Sequence, residues 1–423
     1  MISSVTIKIE TFLKLLLLSF PILIILGAPS LNFFSVVFSL YALFNFKTLK
    51  KFEIFDKKIL IIFFSFIIFI FPFDSINFEN SFLKYLSFFR FILMMIGLII
   101  FFEKENLNNL FLFQMYKTYI VILTIIIIDT LIEYYFGSNL LGFSSPYKGR
   151  IASFTNDELI IGYIYCFITL FTLVFIYKKT NHYFFWIIAC ALLIISFTIG
   201  ERSNFIKLTL LIIIFSFAHF FYFKKFKIKN LIILFSIIII FFISLYKFTI
   251  NTPQGNKLFF IDDLIISKND KISFNFKGRF LQSNHAAHYI AAYNVFLNHP
   301  IFGVGINNFH NEAKKKKYED HDLEMTEVRA STHPHQVYFE IISEVGLIGL
   351  IYFILIFFYP IYLSIKSLNR SNEIIIVSHL FLHFYFIFPI LPSGSFFGTN
   401  YGIPFWYNLA ILFYLSRKNL KFN

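Results

Sequence analysis

The stretch "STHPHQVYFEIISEVGLIGL", residues 331–350, passes from polar to apolar within a few positions. Two histidines flank a proline, and the apolar run that follows carries Glu340 and Glu344. Pro334 is tolerated in the first turn of a helix, where its missing N–H costs nothing. The sequence therefore predicts a helix that begins near His333, with His335 on its first turn. Gln336, Glu340 and Glu344 recur every four residues and share one face. Carboxylates are costly in a segment apolar enough to enter lipid, so this face should turn toward a bundle interior or a wet cleft. Gly346 and Gly349 should allow close helix packing lower down.

Working outward, similar apolar runs recur along all 423 residues. The chain is 58% hydrophobic and only 14% charged, against roughly 25% charged residues in soluble proteins. Its mean hydropathy is +0.72. These values predict an all-α, polytopic integral membrane protein with about twelve transmembrane helices. The spans are expected near 11–28, 31–46, 59–73, 82–102, 117–136, 159–177, 183–199, 204–223, 231–249, 336–359, 373–391 and 404–416. The first reads as a span rather than a cleaved signal peptide, because no small-x-small site follows it and Pro29 stands where cleavage would fall. The expected organisation is an N-terminal bundle of about nine spans over 1–249, a large extracytoplasmic loop with short helices over 250–335, and about three spans over 336–423, all acting as one functional unit.

The net charge of +13 is chiefly a topology signal. Alternate connections are basic: Lys47, Lys50, Lys51, Lys57 and Lys58; Lys178 and Lys179; Lys224, Lys225, Lys227 and Lys229; Lys366 and Arg370; Arg417, Lys418 and Lys421. Positive loops stay cytoplasmic, which puts both termini inside and residues 137–158, 200–203 and 250–335 outside. Short basic loops beside anionic headgroups are not a nucleic-acid footprint. The chain shows no P-loop, dinucleotide fingerprint or zinc-finger spacing. Cys166 and Cys190 both lie in apolar runs, so no disulfide framework is expected.

Histidine is concentrated where chemistry would face outward. Seven of the eleven histidines, His285, His288, His299, His310, His321, His333 and His335, fall in 250–335. That loop's formal charges nearly cancel, with ten basic against nine acidic residues, so it is no simple cation patch. Imidazoles in an ordered outer loop suit proton transfer or anion binding. Outward arginines are few: Arg150, Arg202, Arg279 and Arg329. Arg202, in "TIGERSNFIKL", separates two spans with almost no loop between them. It should either pair with Glu201 or present its planar fork to a phosphate.

Weaker candidates have plainer readings. Asp129 and Glu133 would balance an arginine, or serve structure alone. His379 and His383 read as interhelical hydrogen-bonding groups. "KKKK" at 314–317 reads as a solvated face, and Asp262 with Asp263 lacks the spaced partners of a metal site.

Three segments carry a resemblance. "GRFLQSNHAAHYIAAYNVFLNHPIFGVGINNF" (278–309) with "HPHQVYFEIISEVGLIGL" (333–350) resembles the hallmark region of the O-antigen ligase and polymerase family. "GERSNFIKL" (200–208) and "GRIASFTNDELIIGYIYCF" (149–167) resemble two further motifs of that family, in the family's order. Glu201 stands where serine is commoner, and Gln336 where asparagine is.

The resemblance implies a metal-independent, inverting membrane glycosyltransferase of the bacterial inner membrane that needs no cofactor and whose site faces the periplasm. Its donor would be a glycan on undecaprenyl diphosphate. Its acceptor would be lipid A–core for a ligase, or another lipid-linked glycan for a polymerase; the single dominant outer loop late in the chain is common to ligases. Arg202 and Arg279, with Arg150 third, would bind the diphosphate. His335, with His333 second, would take the acceptor's proton. Glu340 or Glu344 would orient that histidine or meet sugar hydroxyls, with Gln336 beside them, and Gly303 and Gly305 would shape a tight turn. The competing class is a lipid-linked glycan flippase, but a transporter should show internal repeats and polar groups near midplane, and neither is evident here.

Overall fold

The computed structural model describes residues 2–47, 57–73, 75–105, 109–158, 160–180, 182–218, 228–255, 265–268, 271–274, 280–320, 323, 325–368 and 375–421. Arg279, Asp262, Asp263, His321, Lys50, Lys51, Lys224, Lys225, Lys227 and Arg370 lie outside the described residues. Helix dominates. The helices are α1 (Ile2–Leu18), α2 (Phe20–Ile25), α3 (Ala28–Phe44), α4 (Lys57–Phe69), α5 (Phe78–Lys104), α6 (Asn109–Phe136), α7 (Ile161–Lys179), α8 (His182–Ile199), α9 (Arg202–Ala218) and α10 (Ile228–Thr249). Two short paired strands follow, β1 (Ile265–Lys268) and β2 (Lys271–Phe274), in a fold that is otherwise helical. Then come α11 (Asn284–Asn298), α12 (Phe309–Ala313), α13 (Val337–Leu368), α14 (Ile375–Phe386) and α15 (Thr399–Lys421).

Helices occupy the expected apolar segments. Among the described residues four are long and apolar enough to cross a membrane: Phe78–Lys104, Phe111–Phe136, Ile161–Lys179 and Val337–Leu368. On α13 the exposed side carries Leu347, Ile351, Leu355 and Phe358, while Phe353, Ile356 and Phe357 are buried. Apolar residues on both sides are what a helix needs when its outer surface meets lipid rather than water. The chain is a membrane protein with transmembrane helices.

The chain divides into two compact units. One comprises residues 1–26 and 112–273, and the other residues 27–111 and 274–423. In the first, α7 is buried continuously from Ile164 to Val174, with Tyr119 stacked on Phe171 at 3.9 Å between ring centroids. In the second, α3 lies against α5 so closely that a Cβ on Gly97 would overlap the carbonyl of Phe38. The aromatic core there gathers Phe88, Phe396, Phe405 and Trp406. His379 and His383 do what their spacing suggested. His379 Nδ1 lies 2.9 Å from Asn408 Oδ1 on α15, and His383 Nε2 lies 3.0 Å from the Phe357 carbonyl on α13.

Candidate functional site

In the second unit, the segment 299–309 is clasped between α13 and the start of α5. The Val304 N–H donates to the Ser343 carbonyl at 3.0 Å and the Gly305 N–H to that of Glu344 at 2.9 Å. In return the Leu347 N–H donates to the Pro300 carbonyl at 2.8 Å. The helix yields at this point: Gly346 has φ +67° and ψ −163°, which is not helical. Gly346 is therefore a break that admits another stretch of backbone, which corrects its expected part in helix–helix packing. The freed amide of Leu347 finds a partner in the passing chain, as a buried backbone donor must. Gly303 and Gly305 also have positive φ, and a Cβ on either would overlap Glu344 or the Ser75 and Ser81 hydroxyls. Glycine alone fits both positions without strain. Asn308 fixes the other side, its Nδ2 donating to Ser75 at 2.8 Å and Ser81 at 2.9 Å.

This clasp presents a cluster of imidazoles. The ring centroid of His335 lies 4.2 Å from that of His333, 5.0 Å from His288 and 6.0 Å from His285. His335 does not stand on the first turn of the helix. It adopts φ +56° in the bend before α13, and the Ser393 N–H donates to its carbonyl at 2.8 Å. Pro334 thus lies outside the helix. Gln336 supplies the cap instead, its Oε1 accepting from the N–H groups of Tyr338 at 2.7 Å and Phe339 at 3.1 Å. A side-chain amide there satisfies the first free donors of the helix just as the commoner asparagine would.

Burial pushes the His335 imidazole down to about 3, helped by the charges of His333, His288 and His285. Burial likewise pushes His333 down to about 4, with the Ser393 backbone opposing and His288 and Lys84 adding to the fall. Both rings are therefore neutral at pH 7, each with a lone pair able to accept a proton. Among the described residues no group of three or more His, Cys, Asp or Glu side chains is arranged to hold a metal ion.

Glu340 and Glu344 are both buried, as the shared face requires. Glu340 accepts from the Ser395 hydroxyl at 2.5 Å and the Phe396 N–H at 2.7 Å, which pins the segment before α15. Glu344 accepts from the Phe309 N–H at 3.4 Å and so steadies the clasped segment. Both carboxylates brace the backbone around the histidines.

Arg150 and Arg202 belong to the first unit, where the chain at 149–151 runs beside 199–201. The Ile151 N–H donates to the Ile199 carbonyl at 3.0 Å, and a Cβ on Gly200 would overlap the carbonyl of Gly149. Glu201 turns to Arg150, not to its neighbour Arg202. Its Oε1 lies 3.5 Å from Arg150 Nη2 and 3.0 Å from the Gly162 N–H, while Asn204 donates to Oε2. Burial raises the Glu201 carboxyl against the opposing pull of Arg150. Adjacent side chains at the start of a helix point to different faces, so Glu201 reaches inward while Arg202 stays exposed in a recess with Phe197, Phe205 and Gln254. Asp129 and Glu133 hold backbone rather than an arginine. Glu133 accepts from the N–H groups of Ser145, Ala152 and Ser153, and Asp129 from that of Leu140 and from the Ser153 hydroxyl. They fix the loop that carries Arg150.

Three residues escaped the sequence reading. Lys84, half-buried on α5, acts electrostatically on His333, Glu340 and Glu344. Arg90 sits deeper on the same helix and donates to Asn32 Oδ1 at 2.9 Å. Both are basic residues inside an apolar run, which is itself a sign of function or of a polar partner. The third is Glu312, fully buried and bound by Lys315 at 2.6 Å, Lys317 at 3.0 Å and Tyr318 at 3.0 Å. The lysine run is thus not merely a solvated face. Burial pushes the Glu312 carboxyl up, but these hydrogen bonds outweigh it and hold the group at about 2. Arg329 donates to the carbonyls of Ala313, Lys314 and Thr326, a structural task within the same loop.

Fold and site together define a multi-pass membrane protein whose long connection folds back on its helices and gathers imidazoles there. Residues 164–354 match the model of the O-antigen ligase family. The matched span contains the 200–208, 278–309 and 333–350 motifs, and it implies an O-antigen ligase- or polymerase-like membrane enzyme. No curated protein matches the chain.

Proposed function

We propose that the protein transfers a glycan from undecaprenyl diphosphate to an acceptor hydroxyl at the periplasmic face of the inner membrane, as an O-antigen ligase acting on lipid A–core. The observation that carries this reading is the cluster of four imidazoles about His335, held by backbone contacts from several elements. The acceptor oxygen attacks the anomeric carbon as the bond to the diphosphate breaks, inverting the centre. The diphosphate leaves with the bonding electrons, and the acceptor's proton passes to the neutral His335, with His333 beside it. Arg202 and Arg279, with Arg150 as a third candidate, are the groups proposed to neutralise the charge that grows on the leaving group.

The test is the surface glycan of a deletion strain. Rough core with accumulated lipid-linked polymer is the expected outcome. Core capped by a single repeat would make the protein a polymerase, and lipid-linked repeats stranded on the cytoplasmic leaflet would make it a flippase. Transfer in proteoliposomes should be insensitive to EDTA; a loss reversed by Mg²⁺ would overturn the metal-independent mechanism.

A further inference from the structure

We infer that Lys84 supplies a cationic contact for a diphosphate at the histidine cluster, an inference that rests on the transfer reading above. Its position is fixed on two sides. Asn80 and Ser81, one turn earlier on the same face of α5, hold the clasped segment: Asn80 Nδ2 donates to the Asn307 carbonyl at 2.9 Å, and the Ser81 hydroxyl to that of Ile306 at 2.8 Å. Lys84 therefore continues a face already committed to the long connection. On the other side its charge is felt by His333, Glu340 and Glu344.

Among the described residues none forms a hydrogen bond or ion pair with Lys84. The two carboxylates that attract it are occupied by other donors: Glu340 by Ser395 and Phe396, and Glu344 by Phe309. A half-buried cation with no hydrogen-bond partner among the described residues, on the α5 face that holds the clasped segment, is suited to an oxyanion. A phosphate bridging Lys84 and His333 would also favour the protonated imidazole, so the bound leaving group would assist the base that serves it.

The test uses the full-length protein in detergent and measures displacement of fluorescent undecaprenyl diphosphate by inorganic pyrophosphate. The Lys84→Met variant should bind the probe about tenfold or more weakly, and Lys84→Arg should retain most of the affinity. Unchanged probe binding by Lys84→Met would overturn the inference and leave the transfer reading standing. Absence of probe binding by the wild type would remove both. Displacement by phosphatidylglycerol as effective as by pyrophosphate would assign Lys84 to lipid headgroups and overturn the diphosphate contact. If Lys84→Met loses its helical circular dichroism, the Lys84→Arg affinity decides: a tenfold loss there also overturns it.

Discussion

The carbonyl oxygen of Ile301 occupies the space where a side chain on Gly346 would begin. A helix is broken and a loop backbone is seated in the same place, and φ +67° at Gly346 leaves little room for any other residue. Gly346→Ala should destabilise the protein by about 2 kcal/mol or more, from strained backbone and steric overlap together. Thermal unfolding followed by size-exclusion chromatography measures it; an unchanged midpoint would remove the clasp as a determinant of the fold.

His335→Ala should lower transfer by about a hundredfold or more while the protein still inserts and purifies. A rate within a few-fold of wild type would show that another group takes the proton.

Acid should act through the same cluster. His333 and His335 sit at about 4 and about 3, below the ordinary imidazole value of 6.5. Their folded values are depressed, so their contribution to stability is complete above 6.5 and is lost as pH falls through 4 and 3. His285, His288 and Lys84 face them and add to the cost of protonation. The unfolding midpoint should drop across this window, and a His333→Ala/His335→Ala double variant should show a shallower drop. An equal drop in both proteins would place the acid sensitivity elsewhere.

Glu133→Ala should free the 145–153 segment from three N–H···carboxylate bonds and so release Arg150 from its position. The expected signature is a several-fold rise in KM for the lipid-linked donor with a smaller change in kcat, because Glu133 positions a residue and touches no reacting atom. A fall in kcat alone would contradict that role.

Glu312→Gln should loosen the 309–318 segment by about 2 kcal/mol, the scale of hydrogen bonds to a buried charge. Its folded value near 2 lies below the usual carboxylate range, so its stabilisation is present above about 4.5 and lost as pH falls toward 2. Hydrogen exchange at 309–318 in wild type and variant measures this directly; equal protection would refute it.

Sequence pattern made much of this legible. Apolar runs located the helices because lipid demands long stretches without charge, and the i, i+4 spacing placed Glu340 and Glu344 together inside. What pattern could not show is which partner a polar group takes. Glu201 is adjacent to Arg202 in sequence but meets Arg150, since helical geometry parts neighbours and joins chains from elsewhere. Gly346 looked like a packing position because a helical period runs unbroken through it; only the passing backbone of Ile301 reveals a break. His335 lies before the helix rather than on it, because Gln336 outcompetes Pro334 as the place to start. Lys84 passed unnoticed because one basic residue near the end of an apolar run reads as an anchor.

The clasp also orders how the protein can be made. Asn308 bonds to Ser75 and Ser81, more than two hundred residues upstream, while Val304 and Gly305 bond to Ser343 and Glu344, which leave the ribosome later. The contacts that seat the segment beside the imidazole cluster are therefore incomplete while that segment is being synthesised. The clasp is complete only once α13 has been made, so a chain truncated before residue 343 would lack the backbone contacts that seat Val304 and Gly305.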